Sequence, residues 1–146
     1  MKNAALLLAP LAIALGACAG TTASTATVTT SAVSSEASTF VLAGVVTLSG
    51  YDSFTSLTGK GSLCWGIDGY DDLAEGAKVV VSDEAGTVLA TDAVQSATAM
   101  GGYRCDLMFR VAVPDGQAFY QVSVGNRDPY VASADEARRG LALSIG

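Results

Sequence analysis

An eleven-residue alternation constrains this chain more than any other feature. Between residues 103 and 113, Tyr103, Cys105, Leu107, Phe109, Val111 and Val113 share one side of an extended backbone; Arg104, Asp106 and Arg110 take the other. Successive side chains of a strand point to opposite faces, so a period of two over this length predicts a half-buried β-strand. Shorter runs of the same kind lie on both sides. Phe40, Leu42, Val46 and Leu48 alternate with Val41, Ala43 and Thr47, and residues 62–67 form a shorter candidate. Residues 78–82 are Val-rich, and Asp83-Glu84-Ala85-Gly86 supplies a hairpin turn with Gly86 at its left-handed position before residues 87–93 return. Pro114-Asp115-Gly116 is a second turn, after which Tyr120, Val122 and Val124 point inward. Leu141, Leu143 and Ile145 form a last strand with Ala142 and Ser144 outward.

One helix is expected before that strand. Ser133 and Glu136 have capping-box spacing, Arg138 and Arg139 suit a last turn, and Gly140 closes it. Seven short strands with regular turns therefore predict an all-β domain over residues 40–146: an antiparallel seven-strand β-sandwich with one short C-terminal helix. Those 107 residues offer a modest core. Cys64 and Cys105, 41 positions apart, are expected to form a disulfide, which would stabilise the domain by about 4 kcal/mol in the chain-entropy picture.

The segment before the domain is built differently. Lys2 precedes an apolar run over residues 4–17, too short to span a bilayer and suited to a secretory signal peptide. Leu15-Gly16-Ala17-Cys18 resembles the lipobox of bacterial lipoproteins, with an aliphatic residue, two small residues and the cysteine in order. The resemblance implies removal of residues 1–17, diacylation of Cys18 on sulfur, and anchorage to the cell membrane from its outer side. Two acyl chains hold stably where one is marginal. Ala17-Cys18-Ala19 also fits an A-x-A cleavage site, which releases a soluble protein. Residues 18–39 then form anchor and linker. Over residues 20–39 twelve positions are Ser or Thr, four are Ala and Glu36 is the single charge, a composition that predicts disorder. An Ala/Thr-rich tether behind a lipobox is similar to those of actinobacterial lipoproteins.

Residues 77–91 (AKVVVSDEAGTVLAT), Phe109-Arg110-Val111-Ala112-Val113-Pro114-Asp115-Gly116 and Tyr120-Gln121-Val122-Ser123-Val124 resemble the prealbumin-like sandwich of carboxypeptidase-regulatory-like and collagen-adhesin B-type modules. The resemblance implies a sandwich fold. It departs in the cysteine pair and in the helix before the last strand, and no Lys–Asn isopeptide pattern reaches Lys60, Lys78 or Asn126.

Composition narrows the function. The chain contains no histidine, the commonest general base and metal ligand. No Ser-His-Asp or Cys-His set is available, and Gly59-Lys60-Gly61-Ser62 lacks the first glycine of a phosphate-binding loop. Without Lys2, the eight cations of the full chain become seven against fourteen acids, a net charge of −7. Such a surface does not track a phosphate backbone, so nucleic acid is excluded as a partner. Asp68, Asp71, Asp72 and Glu75 form the densest carboxylate group, a candidate calcium site or a solvated loop. Tyr51, Phe54, Tyr70 and Tyr130 sit among turn residues, and Trp65 at the edge of the core; Tyr70, Tyr130 and Trp65 are the candidate ligand-binding residues, each equally suited to packing over an end of the sandwich. The expected function is a non-catalytic binding or adhesion module recognising a protein, glycan or envelope component, with a structural envelope protein as the alternative. A hydrolase using a pair among Asp52, Asp68, Asp71 and Asp106 is the remote alternative.

Overall fold

The computed structural model describes residues 38–57, 61–101 and 103–145, all within the compact unit Ser35–Gly146. The signal peptide, Cys18 and the linker up to residue 37 lie outside the described residues, as does Lys60.

The long alternation forms a strand, β6 (Arg104–Pro114), paired antiparallel along its whole length with β1 (Thr39–Ser49). Leu42, Val46 and Leu48 of β1 and Cys105, Leu107, Phe109, Val111 and Val113 of β6 are buried, as the period of two requires. The inward position at residue 44 is a glycine because the ring of Phe109, directly opposite, fills the space; a Cβ there would overlap three ring atoms.

Around this pair the chain adds β5 (Val88–Ala99), β4 (Lys78–Ser82), β7 (Phe119–Val124) and β8 (Tyr130–Ser133) on one side, and β9 (Leu141–Ile145) on the other. The seven-stranded order is β8-β7-β4-β5-β6-β1-β9. A second, two-stranded sheet joins β2 (Phe54–Ser56) to β3 (Cys64–Gly66).

This corrects the expected antiparallel sandwich in two ways. First, the main sheet is mixed, because β9 runs parallel to β1, with Gly44 opposite Leu141 and Leu48 opposite Ile145. The helix α1 (Ala134–Arg139) sits between β8 and β9, so the chain leaves the edge at β8 and returns on the free edge of β1. Second, the sheet nearly closes into a barrel and fills its own interior. Strands of eleven and twelve residues carry much twist, and bulges at Val81/Ser82 and Val94/Ser96 add curvature. The seven strands also differ from the seven expected: β3 belongs to the small sheet, and β8 takes its place.

The local signals held. Asp83 Oδ1 accepts from the N–H groups of Ala85 and Thr87, and Gly86 turns the chain at φ 81°. Ser133 and Glu136 form the reciprocal capping box, and the Gly140 N–H donates to the Glu136 carbonyl. Cys64 and Cys105 are joined, with 6.0 Å between Cα atoms, fastening the small sheet to β6.

Two expectations along β6 fail. Tyr103 precedes the strand and is exposed, not inward. Asp106 is buried although its face looks out, because Thr47 Oγ1 donates to Oδ1 at 2.9 Å and the Arg104 guanidinium to Oδ2 at 2.8 Å. No helix among the described residues is long and apolar enough to cross a membrane.

Candidate functional site

Strand directions gather the long connections at one end of the barrel. β1 finishes there and β6 begins there, so residues 50–53, strands β2 and β3, and residues 67–77, 100, 101, 103 and 125–129 cluster together. The opposite end carries Thr39, the tight turns and α1. An eleven-residue strand puts about 33 Å between the two ends.

At the long-loop end, residues 67–77 are held from below and from the side. Leu73 is fully buried, its N–H donates to the Tyr70 carbonyl at 2.8 Å, and its own carbonyl accepts from Gly66 N–H at 2.8 Å. Asp72 Oδ2 accepts from the Asn126 N–H at 2.7 Å, and Oδ1 pairs with the Arg127 guanidinium. Arg127 also donates to the Gly69 carbonyl and lies 5.0 Å from the centre of the Tyr70 ring. Burial pushes the Asp72 carboxyl up, but the hydrogen bonds from Asn126 and Arg127 and the Arg127 charge outweigh it and hold its pKa below the usual carboxylate value.

The four carboxylates singled out in the sequence are therefore not one ligand set. Asp72 is engaged by Arg127 and Asn126, and Asp71 Oδ2 accepts from Gly69 N–H at 3.2 Å. Asp68 lines a hollow with Asp52, and Glu75 lines another with Trp65. Among the described residues no three of His, Cys, Asp and Glu stand together as metal ligands. The three candidate aromatics also part company. Tyr70 lines the hollow holding Asp68, Trp65 the one holding Glu75, and Tyr130 a cavity at the barrel seam. Phe54 is buried in β2 and belongs to the core.

What the structure does bring together is a rim of exposed apolar side chains. Tyr51 and Tyr103 are 69% and 67% exposed, and their rings meet edge to face at 5.2 Å. A hydrogen bond with the Tyr103 side chain, then slight burial, raises the pKa of the Tyr51 phenol. Gly50 N–H donates to the Tyr103 carbonyl at 3.2 Å, so the loops carrying the pair are joined through their backbones. Leu57, Leu63, Trp65 and Met100 are exposed at the same end. Tyr103 was hidden from the sequence reading because the alternation ran straight through it; the glycines at 101 and 102 were the signal that a turn precedes the strand.

Two of the cavities at this end differ in character. Beside Tyr51 is an open hollow of about 360 Å³, lined by Tyr51, Asp52, Ser53, Asp68 and Tyr70. Its floor is firm: the buried Ser53 hydroxyl donates to the Ser49 carbonyl at 2.8 Å and lies 3.2 Å from that of Gly50. The second, about 260 Å³, opens where β7 and β8 face β9, between Val122, Val124, Arg127, Tyr130, Leu143 and Ile145. It exists because the sheet stops short of closing, a consequence of the parallel β9 that the sequence pattern did not announce.

Comparison with protein families, curated proteins and solved structures finds no match to this chain, so the resemblances to bacterial lipoproteins and to prealbumin-like modules find no support there.

Proposed function

We propose that this protein is a non-catalytic binding module held at the outer side of a cell membrane, and that it recognises its partner with the long-loop end of the barrel. The observation that carries the reading is the placement of the exposed aromatics. Tyr51 and Tyr103 stand at the end of β1 opposite Thr39, where the N-terminal segment joins. Rigid aromatic side chains contribute contact area at low entropic cost, and loops on a firm scaffold are where recognition residues concentrate. If Cys18 carries the anchor, as its lipobox context implies, the strand itself spaces that rim away from the point of attachment.

The hydrolase alternative has one favourable observation, the shared hollow of Asp52 and Asp68. Both residues are exposed and the hollow is open, without the enclosure that shields a reacting glycosidic bond from bulk water. Binding without turnover fits that geometry better.

The test compares the full-length protein with a Tyr51→Ser/Tyr103→Ser variant for saturable retention on isolated cell envelopes. The reading expects retention to fall by about tenfold or more, equivalent to about 1.4 kcal/mol. Equal retention of the two proteins refutes recognition through the rim and favours a structural envelope protein whose position alone matters.

A further inference from the structure

Resting on that reading, the geometry points to a neutral glycan as the ligand, bound in the hollow of Tyr51, Asp52, Asp68 and Tyr70. Each feature of the hollow removes a class of ligand. Two tyrosines line it; Arg127 lies over one face of the Tyr70 ring, so the exposed Tyr51 ring offers the main electron-rich face for polarised C–H groups such as those on one side of a pyranose. Two carboxylates line it as well, and an ionised carboxylate is an acceptor only, with places for several donors. Vicinal hydroxyls present donors at the spacing of two carboxylate oxygens.

No Lys or Arg lines the hollow, and the chain is strongly acidic. The nearest cation, Arg127 over the Tyr70 ring, is already paired with Asp72, so phosphate-bearing, sulfated and uronic-acid polymers would meet net repulsion from Asp52 and Asp68. An apolar peptide would bury the carboxylates without giving them partners, which costs more than the contact returns. A neutral sugar satisfies both halves of the lining at once. The volume of about 360 Å³ lies in the range of small-ligand clefts, and an open hollow admits an internal residue of a longer chain as readily as its end. Tyr103 acts as a positioning residue: its edge-to-face contact with the Tyr51 ring, and the Gly50 N–H bond to its carbonyl, hold that ring at the mouth.

The experiment titrates the full-length protein against a panel of neutral gluco-, manno- and galacto-oligosaccharides, with an oligolysine peptide as the cationic comparison. The inference expects saturable binding to at least one neutral sugar, changed by less than about twofold when NaCl rises from 0.05 to 0.5 M, because no net charge is paired. Tyr51→Ala and Asp52→Asn each weaken it by about tenfold or more, whereas Tyr51→Phe retains it and Met108→Ala, on the outer sheet face, leaves it unchanged. Circular dichroism and an intact disulfide show that each variant is folded. Absence of binding across the panel, or binding indifferent to Tyr51 and Asp52, overturns the inference. So does preference for oligolysine with collapse at high salt. If no sugar binds while envelope retention still depends on Tyr51 and Tyr103, the glycan is wrong and the rim reading stands; if retention is also indifferent, both fall.

Discussion

Arg127 holds Asp72 in an ion pair that joins two loops 55 positions apart in sequence, and the same guanidinium lies over the Tyr70 ring. The pair is neither buried nor free in solvent, at 30% and 17% side-chain exposure. Its contribution therefore falls between that of a surface bridge and that of a dry one. Asp72→Asn is expected to cost about 1–2 kcal/mol, within the range for hydrogen bonds to a charged group after allowing for solvent. The folded-state pKa of Asp72 is lowered, first against burial and by Asn126 and Arg127, so its stabilisation is complete above the unfolded value of about 3.9 and is lost as pH falls through the lower folded value. Glu136, whose pKa is lowered by the Ser133 backbone and hydroxyl, works in the same direction. Melting temperature recorded against pH should fall on the acid side of that window, and the fall should be shallower in Asp72→Asn. An unchanged acid profile in the variant would show that the Asp72–Arg127 pair does not set the acid stability.

The Gly44–Phe109 contact makes a sharper prediction about the core. Gly44→Ala places a methyl where the ring lies, and overpacking of this kind costs about 1–3 kcal/mol. Phe109→Leu alone should also destabilise, by loss of buried area. The two together should cost less than the sum, since the smaller side chain makes room for the methyl. Urea midpoints for the two single variants and the double variant measure the coupling; additive values would mean the ring has somewhere else to go.

These contacts also show how far the sequence could be read. The period of two assigned the inward face of β6 from Cys105 to Val113, since alternation is a local property of backbone geometry. The capping box and the Asp83–Gly86 turn were legible for the same reason. The parallel pairing of β1 with β9 was not, because it joins segments about 100 residues apart and no local period records which edge a strand returns to. Asp106 reads as an outward charge until Thr47, 59 positions away, supplies its hydroxyl. β8 escaped notice since Tyr130 and Val131 are both exposed, which spoils alternation over only four residues. The rim was half legible. Tyr51 stood among turn residues, but its meeting with Tyr103 depends on how the start of β6 approaches the loop after β1.

Apart from the continuous backbone, the disulfide is the only covalent cross-link between the small sheet and the barrel among the described residues. Its loop of 41 positions corresponds to about 4 kcal/mol in the chain-entropy picture. Cys64→Ala/Cys105→Ala should lower the urea midpoint accordingly. Hydrogen exchange should rise first in Phe54–Ser56 and Cys64–Gly66, which have few partners of their own. Reductant applied to the native protein should reproduce both changes, and a variant with an unaltered midpoint would show that packing alone holds the small sheet.

Cys18 carries the last prediction, and the structure gives it consequence. Residues 18–38 precede Thr39, where β1 starts, so whatever holds Cys18 is attached to the turn-and-helix end of the barrel. Cleavage at the lipobox leaves an acylated Cys18 at the N-terminus; cleavage after Ala19 leaves Gly20 and no lipid. Two acyl chains bind a membrane stably, at about 0.8 kcal/mol per buried CH₂. The lipoprotein reading expects an intact mass carrying a diacylglycerol and recovery of the protein in the membrane fraction. Cys18→Ser should move it to the soluble fraction with its thermal unfolding unchanged, because the strands of both sheets are drawn from Thr39 to Ile145. A mature N-terminus at Gly20 rules the lipid anchor out, and so does membrane recovery that survives Cys18→Ser. In the first case the aromatic rim would belong to a diffusible binding protein, and its partner would be sought in solution as well as on the envelope.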